Sequence, residues 1–272
     1  MMPEAACGKT HSELLFEDYL RSLPVEFAHE PEVPGRRKRP DYKVEIDGRP
    51  YWFEVKELWD PESTPTGGYD PTSPFEGKID KARKKFTEFK DDCCILVLHG
   101  CKSIYRLPMT TEVVSAAFGE RIQLEPSCGQ TVADEPLRFK FRGKAKLRPD
   151  ANTSISAIVI LQHYQLEWRW VEAFYRIRRR MEMGEQVGPF AYAEEFELMS
   201  DSEKKIDFPD SVRAVILENP YARIPLTRGR LLGPLDQLWG IKDSSGWYTM
   251  VAMGSELERL RARERPVPFL VL

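Results

Sequence analysis

The stretch from residue 40 to residue 56, PDYKVEIDGRPYWFEVK, constrains the fold more than any other part of the chain. Apolar and polar side chains alternate on both sides of Asp47-Gly48, and alternation with a period of two is typical of half-buried strands. An Asp-Gly pair favours a tight turn, because both residues tolerate the positive φ that two-residue hairpin turns need. The sequence therefore predicts two antiparallel strands joined at Asp47-Gly48.

The length of the turn decides which residues face each other across this hairpin. A two-residue turn places Asp41 directly opposite Glu54, and directly opposite Cβ atoms lie about 4.5–5.5 Å apart. A four-residue turn would place Asp41 opposite Lys56 instead, with all three side chains still on one face. A three-residue turn would move Asp41 to the other face of the hairpin.

Asp41 and Glu54 would repel each other at such a distance unless a cation lies between them. A divalent ion resolves this repulsion, and Mg²⁺ is commonly held by one or two carboxylates together with waters and phosphate oxygens. Lys56 lies two residues after Glu54 and therefore shares its face of the strand. The pattern predicts a magnesium site with an ammonium group beside it.

Pro40-Asp41 followed by Glu54-Val55-Lys56 resembles the PD-(D/E)XK superfamily of nucleases. The order of the two motifs, the short gap, the Asp-Gly turn and the apolar strand occur together here. The resemblance implies a Mg²⁺-dependent phosphodiesterase in which Mn²⁺ can substitute. It implies that Asp41, Glu54 and the backbone carbonyl of Val55 bind the metal. Lys56 would then orient or deprotonate the attacking water.

Residues 12–23 carry apolar side chains at helical spacing, which predicts an amphipathic helix. Superfamily members often take a further acidic metal ligand from the first core helix. The resemblance implies Glu13 for this role, or Glu17 one turn along the same face. The alternative is that both are solvated surface glutamates.

The remaining elements of residues 1–165 complete an α-β-β-β-α-β order, which predicts an α/β fold. The resemblance implies a restriction-endonuclease-like core, in which helices flank a mixed central β-sheet. The patterns predict strands at 25–29, 93–99 and 155–161, helices at 75–90 and 107–118, and a long surface loop at 59–74.

Residues 166–272 are predicted to form a C-terminal α/β extension that packs on this core, and no family resemblance covers them. The patterns predict helices at 168–183 and 255–263, strands at 212–217 and 247–253, and a loop at 219–237.

Basic residues cluster locally, although the net charge of the chain is −3. One run leads directly into Pro40-Asp41, where it is well placed to hold phosphates. Further along, basic residues occupy every second position of a hairpin predicted near residues 121–150. On helix 75–90 the resemblance implies a basic residue near the site, Lys81 or Lys85. The candidate nucleic-acid contacts are Arg36, Arg37, Lys38, Arg39, Lys81, Lys140, Arg142, Lys144 and Lys146.

Other classes of function find little support in the sequence. Five irregularly spaced cysteines indicate a reducing, cytoplasmic location rather than a disulfide framework. No apolar run reaches the length of a membrane span, and no nucleotide-binding glycine motif is present. The expected partner is nucleic acid, DNA in preference to RNA, with a homodimer or larger complex left open. A rival interpretation is a catalytically silent interaction module with the same fold.

Overall fold

The computed structural model describes residues 8–58, 72–100, 110–123, 139–142, 145–163, 173, 176–177, 179–181, 183–188, 191, 212–227, 231–241 and 248–255. Most of the loop predicted at 59–74 and of the helices predicted at 168–183 and 255–263 lies outside these residues. No helix in the described ranges is long and apolar enough to span a bilayer. In chain order the elements are α1 (His11–Arg21), β1 (Glu26–His29), β2 (Tyr42–Ile46), β3 (Arg49–Leu58), α2 (Ser73–Phe86), β4 (Cys93–Gly100), α3 (Thr110–Phe118), β5 (Glu120–Gln123), β6 (Phe139–Arg142), β7 (Ala157–His163), β8 (Val212–Glu218), β9 (Gln237–Ile241) and β10 (Tyr248–Met253).

The described strands form one ten-stranded mixed sheet in the order β1-β2-β3-β4-β7-β8-β9-β10-β6-β5. β3, β4 and β7 run parallel, with α2 in the connection from β3 to β4 and α3 in the connection from β4 to β7. The mixed α/β class and the order α-β-β-β-α-β that the sequence predicted are therefore confirmed.

Helices cover both faces of the sheet, and each face has its own apolar core. On one face Phe16 of α1 is buried against Tyr42 and Phe53 of the hairpin. On the other face α2 and α3 pack together, and Phe86 is buried in the same cluster as Trp52. Successive residues of β3 point to opposite faces, so β3 contributes side chains to both cores.

The turn between β2 and β3 has two residues, one of the three lengths that the sequence left open. Ile46 pairs with Arg49, and Asp47 and Gly48 both have positive φ angles, 52° and 72°. Positive φ at both central positions defines the type of turn whose twist matches that of the flanking strands. The local sequence therefore sets the register of the whole hairpin.

The C-terminal strands continue the sheet of the N-terminal half. β8 pairs antiparallel with β7 along its length, so the boundary predicted at residue 165 falls between neighbouring strands of one sheet. The predicted hairpin near 121–150 forms from β5 and β6, but Phe139 of β6 pairs with Tyr248 of β10. It therefore lies at the far edge of the sheet. β9 begins at the end of the segment predicted to be a loop, 219–237.

Asp236 links segments from the two ends of the described chain through hydrogen bonds. Its carboxylate accepts hydrogen bonds from the hydroxyl of Tyr19 on α1 at 2.7 Å, from the backbone N–H of Ala214 at 2.7 Å and from that of Gly233 at 2.6 Å. Burial raises the pKa of Asp236, while these three donors oppose that rise. The interaction is inside the core and fixes α1 against β8 and the segment before β9.

We expect Asp236→Ala to destabilise the fold by at least about 2 kcal/mol, because a buried donor left without an acceptor costs about 1–3 kcal/mol. Urea unfolding measures this change. The matched control is Asp150→Ala at a side chain that is 75% exposed, where we expect a change within about 0.5 kcal/mol. Equal effects of the two substitutions would contradict a structural role for Asp236.

Candidate active site

Asp41 and Glu54 lie side by side across the β2–β3 hairpin. The pairing of Tyr42 with Phe53 continues to Asp41 opposite Glu54. Asp41 remains beside β3 because its Oδ2 accepts a hydrogen bond from the backbone N–H of Val55 at 2.8 Å. Asp41 is 9% exposed and Glu54 is 1% exposed. Carboxylates removed from water to this extent need charged or hydrogen-bonding partners.

Lys85 of α2 supplies the cation between the two carboxylates. Its Nζ lies 2.7 Å from Asp41 Oδ1 and 2.6 Å from Glu54 Oε2. The apolar stripe of α2, which includes Ile79 and Phe86, holds the helix against the face of the sheet on which Glu54 lies. The packing of the core therefore places this ammonium group at the carboxylate pair.

Lys56 pairs with the other oxygen of Glu54, Oε1. The structure thus brings Asp41, Glu54 and Lys56 together on one face, in the two-residue register. It adds Lys85, which the family resemblance offered as an alternative to Lys81. We call these four residues the carboxylate–lysine network.

The ionisation of Glu54 and of Lys85 depends on the other members of the network. Burial and the charge of Asp41 raise the pKa of Glu54 above its ordinary value of 4.5, while Lys56 and Lys85 oppose this rise. Burial by itself would lower the pKa of Lys85, but its contacts with Asp41 and Glu54 outweigh burial and raise that pKa above 10.5. The lysines thus favour the charged form of Glu54 against burial, and the carboxylates favour the charged form of Lys85.

The oxygens of the network fit a hard divalent cation. Glu54 Oε2 is buried and no donor in the described residues meets hydrogen-bond geometry with it, although the Lys85 ammonium lies 2.6 Å away. Asp41 Oδ1 faces the same ammonium group, and two carboxylates around one cationic position are ligands that Mg²⁺ accepts. No group of three or more ligating side chains gathers within the described ranges. Among the described residues, the side chains available to a metal here are those of Asp41 and Glu54.

The structure does not bring Glu13 or Glu17 to this pair. α1 packs on the face of the sheet opposite to Glu54. Glu13 Oε2 accepts a hydrogen bond from the backbone N–H of Thr10 at 2.6 Å and closes the capping box of α1. Glu17 is buried, and its carboxylate binds Lys9, Arg21 and the Tyr42 hydroxyl, at 2.8 Å for Arg21 and 3.1 Å for Tyr42. Both carboxylates thus have local partners.

The basic run before Pro40 is largely bound to the protein itself. Arg36 forms an ion pair with Asp92 at 2.8 Å, and its guanidinium lies 4.2 Å from the ring centre of Phe89. Lys38 Nζ donates to the hydroxyl of Thr87 at 2.8 Å. The backbone N–H groups of Arg37 and Lys38 both donate to the Glu88 carboxylate. The run therefore anchors the chain to the end of α2, and the exposed side chains of Arg37 and Arg39 remain as candidate phosphate contacts.

The basic alternation predicted through residue 148 does not form one continuous strand. β6 ends at Arg142, which pairs with Glu120 of β5 in the strand register, while Lys140 pairs with Ile122. Lys144 lies outside the described residues. The Lys146 ammonium contacts Asp80 of α2 at 2.8 Å, which ties this segment to the helix. The predicted cationic face is thus interrupted before residue 146.

A second polar cluster, which the sequence did not reveal, lies at the end of β3 on the α1 face. Ser12 Oγ is 3.1 Å from His99 Nδ1 and 3.3 Å from Glu57 Oε2. Glu57 and His99 occupy paired positions on the parallel strands β3 and β4. The cluster fixes the first turn of α1 to the two strands. The sequence did not indicate the cluster, because it depends on the register of β3 against β4, two strands that are distant in sequence.

Comparisons of the chain with protein-family models, with curated proteins and with solved structures found no significant match.

We expect Lys85→Met to destabilise the protein by about 1.5–3 kcal/mol near pH 7, the usual contribution of a hydrogen bond to a charged group. Loss of the ammonium leaves Asp41 and Glu54 repelling each other, and it raises the pKa of Glu54 further above 4.5. Protonation of Glu54 relieves this repulsion, so the difference from the parent protein should shrink as the pH falls through that raised value.

The pKa of Lys85 is also raised, so its contribution to stability is complete below 10.5 and is lost as the pH rises through the higher folded value. Urea unfolding between pH 4 and pH 11 measures both limits. Lys90→Met, at an exposed position in the turn after α2, is the control. A pH-independent difference for Lys85→Met would show that the contact with Glu54 does not contribute.

Proposed function

We propose that the protein is a divalent-metal-dependent nuclease of the PD-(D/E)XK type with a restriction-endonuclease-like core. Its expected substrate is DNA, with RNA as the second choice. The observation that supports this proposal is the juxtaposition of Asp41 and Glu54 around one cationic position, with Lys56 beside them on the same strand. Such an arrangement gives both the metal ligands and a hydrogen-bond donor for phosphodiester hydrolysis.

Asp41 and Glu54 would hold Mg²⁺ or Mn²⁺, and the carbonyl of Val55 stays a proposed further ligand. A bound Mg²⁺ would lower the pKa of a water ligand and stabilise negative charge on the phosphate oxygens. The Val55 N–H fixes the orientation of the Asp41 carboxylate, so this ligand is preorganised. Lys56, already paired with Glu54, is suited to donate to the attacking water or to the phosphate rather than to remove a proton.

Lys85 occupies the position that faces both carboxylates, so a divalent cation has to displace its ammonium group. After displacement the Lys85 side chain remains beside the metal, where it can donate to a phosphate oxygen. The same contact favours the rival function, binding without cleavage, because a network neutralised by its own lysines is also a stable structural element. Metal-dependent cleavage of DNA distinguishes the two functions.

We expect Lys56→Ala and Asp41→Ala to affect cleavage differently. Lys56→Ala should lower the cleavage rate about 10²–10³-fold, the usual effect of deleting one donor to the developing charge, while Mn²⁺ binding stays equal or becomes tighter. Asp41→Ala should lose Mn²⁺ binding and cleavage together. Calorimetric Mn²⁺ titrations beside a plasmid-nicking assay measure both properties. Cleavage by Lys56→Ala at the parent rate would favour the interaction module.

We expect Lys85→Met to tighten Mn²⁺ binding about tenfold or more, a coupling within the range found between linked sites. The ammonium group no longer competes for Asp41 and Glu54, and the pair is more negative without it. Lys84→Met is the control, because Lys84 is exposed and its helical position points away from the pair. Weaker Mn²⁺ binding by Lys85→Met would show that the two carboxylates do not form the metal site.

A further inference from the structure

One edge of α2 carries a row of lysines, Lys78, Lys81 and Lys85. An α-helix turns about 100° per residue, so these three positions fall within about 60° of one another around the axis. They border the apolar stripe of the helix on the side of the carboxylate–lysine network. On its other side the helix carries Asp80, which pairs with Lys146. The row thus follows one edge of the helix, while Arg83 and Lys84 lie outside it.

The row runs along β3. Lys78 Nζ donates to the backbone carbonyl of Glu57 at 2.8 Å, whereas Lys85 Nζ reaches Glu54 at 2.6 Å. Seven helical residues rise about 10.5 Å, and three strand residues span about 10 Å. The two contacts therefore align α2 antiparallel to β3. Along the helix axis Lys81 lies between Lys78 and Lys85. It is therefore at about the height of Lys56, which lies between Glu54 and Glu57 on β3.

The charges of this row are only partly compensated. Asp41 and Glu54 balance Lys56 and Lys85. Neither Lys78 nor Lys81 has an ion pair with a described acidic side chain. Burial lowers the pKa of Lys78, the charges of Lys81 and Lys56 lower it further, and the charge of Glu57 opposes them in part. Ammonium groups held this close repel one another, and an anion bound among them would remove that cost.

We propose that Lys78 and Lys81 bind a backbone phosphate of a nucleic-acid strand, next to the phosphate held at Asp41 and Glu54. The inference rests on the proposed function and adds the path of the substrate, which would follow β3 along α2. The row extends for about 10 Å, and successive phosphates of one strand are about 3.4 Å apart along a duplex axis. A neighbouring phosphate is therefore within reach. Contacts of this kind position a strand without reading its sequence.

The test measures binding of a fluorescein-labelled single-stranded oligodeoxynucleotide in the presence of a chelator, between about 50 and 200 mM salt. Each phosphate contact on a single strand contributes about 0.7 to the slope of log affinity against log salt. Relative to the parent protein, the double variant Lys78→Gln/Lys81→Gln should lose about 0.7 of that slope, one phosphate contact, and bind more weakly at low salt. An unchanged slope, or no binding by the parent protein, overturns the proposal.

Arg83→Gln is the matched control on the same helix. Arg83 is exposed and lies about 140° around the axis from Lys78, so its loss should leave the slope unchanged. A slope that falls equally in Arg83→Gln would mean general charge attraction and would overturn the site. If the double variant unfolds, Lys81→Gln alone carries the test, because Lys81 is exposed and its loss should still lower the slope, by up to about 0.7.

The chelator separates this inference from the proposed function, because the binding measurement needs neither metal nor cleavage. If the parent protein binds with the expected slope, yet does not cut DNA with Mg²⁺ or Mn²⁺, the phosphate site stands and the nuclease function is wrong. If the parent protein cuts DNA but the double variant keeps the full slope, the phosphate site is wrong and the nuclease function stands.

Discussion

The repulsion between Asp41 and Glu54 is the constraint on which the arrangement of this site depends. Two buried carboxylates on neighbouring strands are tolerated only where cations and donors face them. The Val55 N–H, the Lys56 ammonium and the Lys85 ammonium meet this need. Because Lys85 belongs to α2, the pair also ties the hairpin to the helix that follows it. The charge balance of Asp41 and Glu54 therefore depends on how α2 packs on this face of the sheet.

The hairpin was predictable because its determinants are local. The period of two and the Asp-Gly pair predict both strands and the place of the turn without reference to the rest of the chain. The sequence left three turn lengths open, and the two-residue turn of the structure is what pairs Asp41 with Glu54. The position of Glu13 was not predictable in this way. Its acidic side chain fits a metal site as well as a helix cap, and the choice depends on the face of the sheet on which α1 packs. Burial of Phe16 against Tyr42 and Phe53, contacts between distant segments, decides that choice.

The same limit applies to the C-terminal half. Apolar runs predicted β8 and β10, but an apolar run does not show which strand it will pair with. The pairing of β8 with β7 depends on packing across the whole sheet. β9 is short and follows a segment rich in Pro and Gly, so the sequence predicted the loop up to residue 237 and no strand after it. For Lys146 the alternating spacing predicted a free cationic face, while Asp80, distant in sequence, takes up its charge.

The electrostatics of the site follow from the topology of β3-α2-β4. A helix that connects two parallel strands returns antiparallel to the first of them, so lysines on one edge of α2 lie along β3 in reverse order. Lys78 thus meets Glu57, and Lys85 meets Glu54. One end of the row is neutralised by carboxylates, whereas Lys78 at the other end donates to a backbone carbonyl and has no ion pair within the described residues. The proposed path of a polyanionic strand beside Asp41 and Glu54 rests on this difference, which the connection sets and not any single motif.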